Sequence, residues 1–84
     1  MAVERVRFER KATRDLSRLS PDIAQTIVNA IESFARQGIG DVRKLRDVQP
    51  ATWRLRVGRF RVLYRRYRSI IIVMAIVDRR DAYR

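Results

Sequence analysis

Cysteine and histidine are both absent from this chain of 84 residues. Without thiols there is no disulfide and no thiolate metal site, and without imidazole the usual zinc and iron sites and the commonest general base are excluded. There are only three glycines and two prolines, and none of the glycines has the spacing of a phosphate-binding loop. The longest apolar run, Ile70 to Val77, has eight residues, far short of the roughly 20 that a membrane helix needs. Met1 to Phe8 is charged and lacks an apolar core, so no signal peptide is expected and the protein is read as soluble and cytoplasmic. Acidic residues are also scarce, nine against twenty basic ones.

A chain of this length forms one domain, residues 1–84, which buries only about 60 to 65% of the surface that its unfolded form exposes. The net charge of +11 is large for such a domain, and it is unevenly placed. Residues 1–42 carry seven cations against six carboxylates, whereas residues 43–84 carry thirteen against three. The first half reads as a nearly neutral scaffold, and the second half holds the field. A positive field attracts nucleic acid, anionic membrane or an acidic protein. Eighteen of the twenty cations are arginine, whose planar fork suits bidentate phosphate contact better than the point charge of lysine. Nucleic acid is therefore placed first. Membrane is placed last, because the cations follow a strand pattern and not an amphipathic helix.

The strand pattern is clearest in WRLRVGRFRVLYRRYR, Trp53 to Arg68, where arginines alternate with large apolar residues. Alternation sends Trp53, Leu55 and Val57 to one face of a sheet and Arg54 and Arg56 to the other, with Arg61 joining them from the next strand. Like charges two positions apart lie only about 7 Å from each other. They repel, so a polyanion is expected on that face.

Along the chain, Ala2 to Phe8 alternates as a first strand. From Glu9 the period changes, and Phe8, Ala12, Leu16 and Leu19 form the apolar stripe of a helix whose Arg10, Arg14 and Arg18 read as a solvated face. Ser20-Pro21-Asp22 starts a second helix, with serine as cap and proline at the first helical position. Its stripe is Ile23, Ile27, Ala30, Ile31 and Phe34, and Gly38 closes it. Residues 38 to 52 read as a loop with one short strand near Arg43 to Arg46. Thr52 to Val57, Arg59 to Arg66 and Ile70 to Val77 then form an antiparallel meander, whose last, wholly apolar strand is expected to be covered on both faces. The fold class is α+β, in the order β-α-α-β-β-β, with an antiparallel sheet and a helical hairpin on one face.

Without histidine or cysteine, the groups left for chemistry are the arginines and Tyr64, Tyr67 and Tyr83. Such a set suits metal-free attack on phosphorus, which requires above all the stabilisation of charge growing on the phosphoryl oxygens. RNA supplies its own nucleophile, the 2′-hydroxyl. A tyrosine among cations is biased towards phenolate, so Tyr83 beside Arg79 and Arg80 is a candidate base; packing on the sheet edge is the alternative role for the same side chain.

The element order, the opening VRFERKATRDLSRL, then KLRD, WRLRVGRFRVLY and the ending DRRDAYR resemble the RelE/ParE superfamily of toxins from toxin–antitoxin systems, over essentially the whole chain. RelE-like members are ribosome-dependent mRNA endonucleases that cut in the A site and leave a 2′,3′-cyclic phosphate. The resemblance implies a catalytic set of Arg54, Arg56, Arg61, Arg79 and Tyr83. In it Tyr83 is the general base, Arg79 assists the leaving group, and the three strand arginines orient the phosphate and stabilise the transition state. Lys44, Arg46, Arg59 and Arg80 are read as further RNA contacts. Asp78 stands where many relatives have histidine or lysine, and its charge is expected to oppose the neighbouring site.

No cofactor, metal or small-molecule substrate is expected. The expected partners are the ribosome with its mRNA and a cognate acidic antitoxin, which would also relieve the self-repulsion of a +11 domain. The alternative is a ParE-like inhibitor of DNA gyrase that cuts no RNA. A third reading, an inactive RNA-binding module that stacks bases on Trp53 and Phe60, is disfavoured because alternation turns Trp53 into the core.

Overall fold

The computed structural model describes residues 4–80. Seven elements follow one another: β1 (Arg5–Phe8), α1 (Arg10–Ser17), α2 (Pro21–Gln37), β2 (Asp41–Lys44), β3 (Trp53–Val57), β4 (Phe60–Tyr67) and β5 (Ile70–Asp78). Ala2 and Val3, expected at the start of the first strand, lie outside the described residues. The short strand expected near Arg43 to Arg46 begins two residues earlier, at Asp41.

The five strands form one sheet in the order β1-β5-β4-β3-β2. From β2 to β5 the pairing is antiparallel, but β1 pairs with β5 in parallel, which corrects the wholly antiparallel sheet expected from the sequence. Short connections make successive elements reverse direction, so the first and the seventh run the same way. Both hairpin turns have two residues and a positive φ at the first, Gly58 at 58° and Arg68 at 57°. That is the twist such turns require, and only glycine adopts it without steric cost.

α2 starts and ends as its residues dictate. Ser20 Oγ accepts from the Ile23 N–H at 3.4 Å, Pro21 takes the first position, and Gly38 closes the helix in the left-handed conformation with its N–H on the Phe34 carbonyl at 2.8 Å. Ile27, Ile31, Phe34 and Ala35 of α2, with Ala12 of α1, bury against Leu55, Phe60, Val62, Tyr64, Ile71, Val73 and Ile76 of the sheet. Ile23, expected in that stripe, is partly exposed and instead lines a shallow groove with Ile27, Val57 and Phe60.

The helices cover one face only. β5 is an internal strand of the ladder, but among the described residues it has a protein layer on a single side, contrary to the expectation from its apolar run. Its other face carries Ile72 and Val77, half-buried. Arg7 and Arg65 flank Ile72 there, and long cations can shield apolar surface with their methylenes.

One carboxylate ties the helices to β5. β1 accompanies β5 only as far as Val73, and Met74 is an extra residue between the pairs Val73↔Tyr64 and Ala75↔Leu63, a bulge. Beyond it, the Ile76 N–H is bonded by Asp15 Oδ2 of α1 at 3.0 Å, where a longer β1 would have supplied a carbonyl. The same oxygen accepts from Lys11 Nζ at 2.9 Å.

Candidate functional site

The register decides which arginines share a face. Arg56 lies directly opposite Arg61, Arg54 opposite Leu63, and Val57 opposite Phe60 across the Gly58 turn. Parity therefore holds through the hairpin, and Arg54, Arg56 and Arg61 stand together on the face away from the helices. Directly opposed side chains have Cβ atoms about 5 Å apart, close enough for Arg56 and Arg61 to repel.

Arg54 and Arg56 are not equivalent. Arg56 is half exposed, whereas Arg54 is only 8% exposed, and its Nη1 is buried without a hydrogen bond. Alternation assigns the face correctly but not the depth. Asp41 of β2, opposite Arg56 in register, lies 3.8 Å from Arg54 Nη1 and 4.0 Å from Arg56 Nε. Among the described strand residues it is the one carboxylate on this face. At those distances an exposed carboxylate offsets little of the surrounding charge.

Arg79 follows β5 directly, and its N–H donates to the Arg59 carbonyl at 2.7 Å, one step beyond the last ladder pair. That fixes it at the end of the sheet where Arg61 pairs with Val77. Tyr83 lies outside the described residues.

Asp78, expected to oppose the site, pairs with Phe60 and takes the facing of the helical side. Its carboxylate is engaged there, 3.3 Å from Arg59 Nε and 3.8 Å from Arg80 Nη2, and it accepts the Arg80 N–H at 3.0 Å. The negative charge is thus turned from the Arg61 face, and Arg59 and Arg80 are held by Asp78. Lys44 is on the helical side too, with its ammonium 5.8 Å from the centre of the Trp53 ring. Arg46 sits exposed in the turn after β2. Of the four further RNA contacts expected, none shares the face of Arg54, Arg56 and Arg61 through strand register.

The other tyrosines divide by burial. Tyr64 is 1% exposed, packed between Phe34 and Trp53, and its hydroxyl is buried without a hydrogen bond. Burial pushes its pKa up to about 12, with Arg66 lowering it and Glu4 raising it to smaller extents. It stays a neutral phenol and is no base near neutrality. Tyr67 is exposed at the far end of β4. Trp53 stacks on Tyr64 with centroids 6.1 Å apart, on the core side as its position in the alternation requires.

The same register adds arginines that the sequence reading left unassigned. Arg7 of β1 and Arg65 of β4 both flank Ile72, one on each side of β5. Alternation along β4 puts Arg65 on the face of Arg61. Arg5 and Arg43 take the same facing from the two edge strands. The signal was present in the alternation of Arg5 and Arg7, but nothing in the sequence says that β1 lies beside β5.

A mixed sheet clad by a helical hairpin on one side is the fold of RelE-like toxins. The family model described as the ParE toxin of the type II toxin–antitoxin system, parDE, matches residues 6–83. Several solved structures share the fold. The toxin–antitoxin complex RelBE2 from Mycobacterium tuberculosis has a chain 29% identical, with a TM-score of 0.78 over 93% of this chain and 100% of that one. The archaeal RelE–RelB complex from Pyrococcus horikoshii matches at 19% identity and a TM-score of 0.75, over 93% and 97%. The YoeB dimer from Staphylococcus aureus matches at 20% and 0.68, over 88% and 94%. No curated protein matches the sequence significantly. The chain belongs to the ParE toxin family, within the RelE/ParE superfamily, and is the toxin of a toxin–antitoxin system. Among the described residues no helix is long and apolar enough to cross a membrane.

Proposed function

We propose that this toxin is a metal-independent endoribonuclease that cuts mRNA in the ribosomal A site, and so stops translation in the cytoplasm. The observation that carries the reading is the convergence of Arg54, Arg56 and Arg61 on one sheet face, with Arg79 at the same end and Asp78 turned away. Three guanidiniums on one face suit a phosphodiester whose charge grows as a fifth oxygen approaches phosphorus. In this scheme Tyr83 takes the proton of the 2′-hydroxyl, and the 2′-oxygen attacks in line. The P–O5′ bond breaks to leave a 2′,3′-cyclic phosphate. Arg79 donates a hydrogen bond to the departing 5′-oxygen, which takes its proton from water.

The ribosome enters as the device that presents the strand. A small open sheet has no walls to bend RNA into line, so positioning has to come from the complex that holds the codon. A cognate acidic antitoxin is the second partner. The relatives in the Mycobacterium tuberculosis and Pyrococcus horikoshii structures are complexed with antitoxins, and an acidic chain would offset this toxin's +11 charge.

The description of the matching family model favours a second reading, gyrase inhibition without RNA cleavage. Two assays on the same preparation separate them. The endonuclease reading expects arrested translation with unaffected supercoiling; inhibited supercoiling with normal translation replaces it by the second.

A further inference from the structure

The arginine face has a second cluster, away from the proposed catalytic one. Arg7, Phe8, Glu9, Arg10, Arg65 and Ile72 line an open pocket of about 440 Å³ at the β1 side of the sheet. Arg7 and Arg65 flank Ile72 across three adjacent strands, with Cα atoms separated by about 10 Å, two interstrand spacings. Arg10 opens α1, whose start has no side-chain cap.

Three features suit this wall to an anion. Arg65 is half-buried, with a buried Nε that has no hydrogen-bond partner, a costly state for a charged donor. Like Arg5 and Arg43 on the same face, Arg7, Arg10 and Arg65 form no ion pair with any described residue, whereas Arg54, Arg56, Arg59, Arg66 and Arg80 each do. The uncapped first turn of α1 adds the positive end of a helix dipole to the same wall. Glu9 is the one carboxylate in the lining, so the pocket keeps an excess of positive charge.

We propose that the pocket of Arg7, Arg10 and Arg65 is a second phosphate site, which holds a backbone phosphate of the RNA strand whose scissile linkage lies at Arg54, Arg56 and Arg61. This rests on the endonuclease reading for the identity of the strand. The spacing fits. Arg61 and Arg65 are four residues apart on β4, about 13 Å along the strand. Phosphates follow one another at about 3.4 Å along the axis of a stacked strand and at about twice that in a stretched one. The second site therefore engages a phosphate about two to four nucleotides from the cut, over the apolar step of Leu63 and Ala75. A dinucleotide is too short to reach both clusters.

The test uses the full-length toxin and a binding readout that needs no cleavage. The Arg65 Nε–Hε resonance is followed by NMR during titration with inorganic phosphate, then with a dinucleotide and a hexanucleotide made non-cleavable by 2′-O-methylation. The expected result is a shift of that resonance with phosphate and with the hexamer, but not with the dinucleotide. Arg65→Gln and, at an exposed position that leaves the core untouched, Arg10→Gln should each weaken hexamer binding about tenfold. Each should also reduce the slope of log K against log salt by about 0.7 while leaving dinucleotide affinity alone. Glu9→Gln should tighten phosphate binding. A silent Arg65 resonance, or equal losses for hexamer and dinucleotide, overturns the proposal, and a response to inorganic phosphate alone reduces the pocket to a free-anion site and overturns it as well. The two readings fail separately. A toxin that cuts mRNA with Arg65 silent loses only the second site, and one that never cuts but gives the length-dependent response keeps the site and loses the endonuclease reading.

Discussion

Replacing Asp15 by alanine tests how the helices hold the end of β5 that carries Arg79. The carboxylate makes two contacts of unequal worth. Its bond to Lys11 is an i,i+4 surface pair, worth about 0.3 to 0.5 kcal/mol. Its bond to the Ile76 N–H satisfies a part-buried donor on a strand edge that β1 does not reach, and orphaning such a donor costs about 1 to 3 kcal/mol. With Asp15 largely buried (its side chain 13% exposed), the total is about 2 kcal/mol, which for a domain of this size lowers Tm by roughly 8 to 16 °C. Lys11→Ala removes the weak contact only and should lower Tm by about 1 to 4 °C. Asp15→Asn keeps an acceptor oxygen for the Ile76 N–H and should fall between the two. Thermal melts of the three variants measure the ranking, and amide exchange should quicken at Ile76 in Asp15→Ala. If Asp15→Ala costs no more than Lys11→Ala, or if Ile76 exchanges as before, the carboxylate does not stand in for a missing strand and the reasoning fails.

Tyr64→Phe should leave the protein as stable or more stable at pH 7, because the hydroxyl it removes is buried and unbonded; a melt showing a loss above about 1 kcal/mol would reveal a hidden partner. The same variant has a pH signature. With the folded pKa raised to about 12 and the unfolded value near 10, the phenol's contribution is complete below pH 10 and is lost as pH rises towards 12, so wild type should lose stability over that window faster than Tyr64→Phe. Trp53→Ala should cost about 2 to 4 kcal/mol in urea unfolding, since it removes a partly buried ring stacked on Tyr64; a variant as stable as wild type that only binds RNA less tightly would return Trp53 to a base-stacking role.

Local signals were legible where one residue type has one job. The serine, proline and glycine that bracket α2, the glycine of the β3–β4 turn and the facing of Arg54 and Arg56 could all be read from spacing, whereas the facing of Arg61 across the Gly58 turn needed the register. The relations between distant segments could not. Whether β1 sits on β5, and in which direction, depends on how many reversals separate them, and that placement brings Arg7 to Arg65. The facing of Asp78 was not legible for a related reason: adjacency in sequence to Arg79 does not give adjacency in space, because in a strand neighbours point to opposite sides. Alternation also gives direction without depth, so it did not distinguish buried Arg54 from exposed Arg56. The bulge at Met74 has no sequence marker, because no glycine or proline accompanies it.

The central claim is that the arginine face cuts RNA presented by the ribosome. The direct measurement incubates purified toxin with a defined mRNA, with and without programmed ribosomes, and maps both the cut positions and the chemistry of the new ends. The account predicts cuts within the A-site codon only when ribosomes are present, ends bearing a 2′,3′-cyclic phosphate, and no cutting by an Arg61→Ala variant with an unchanged circular dichroism spectrum and melt. Intact mRNA under those conditions, or equal cutting by folded Arg61→Ala, would contradict it.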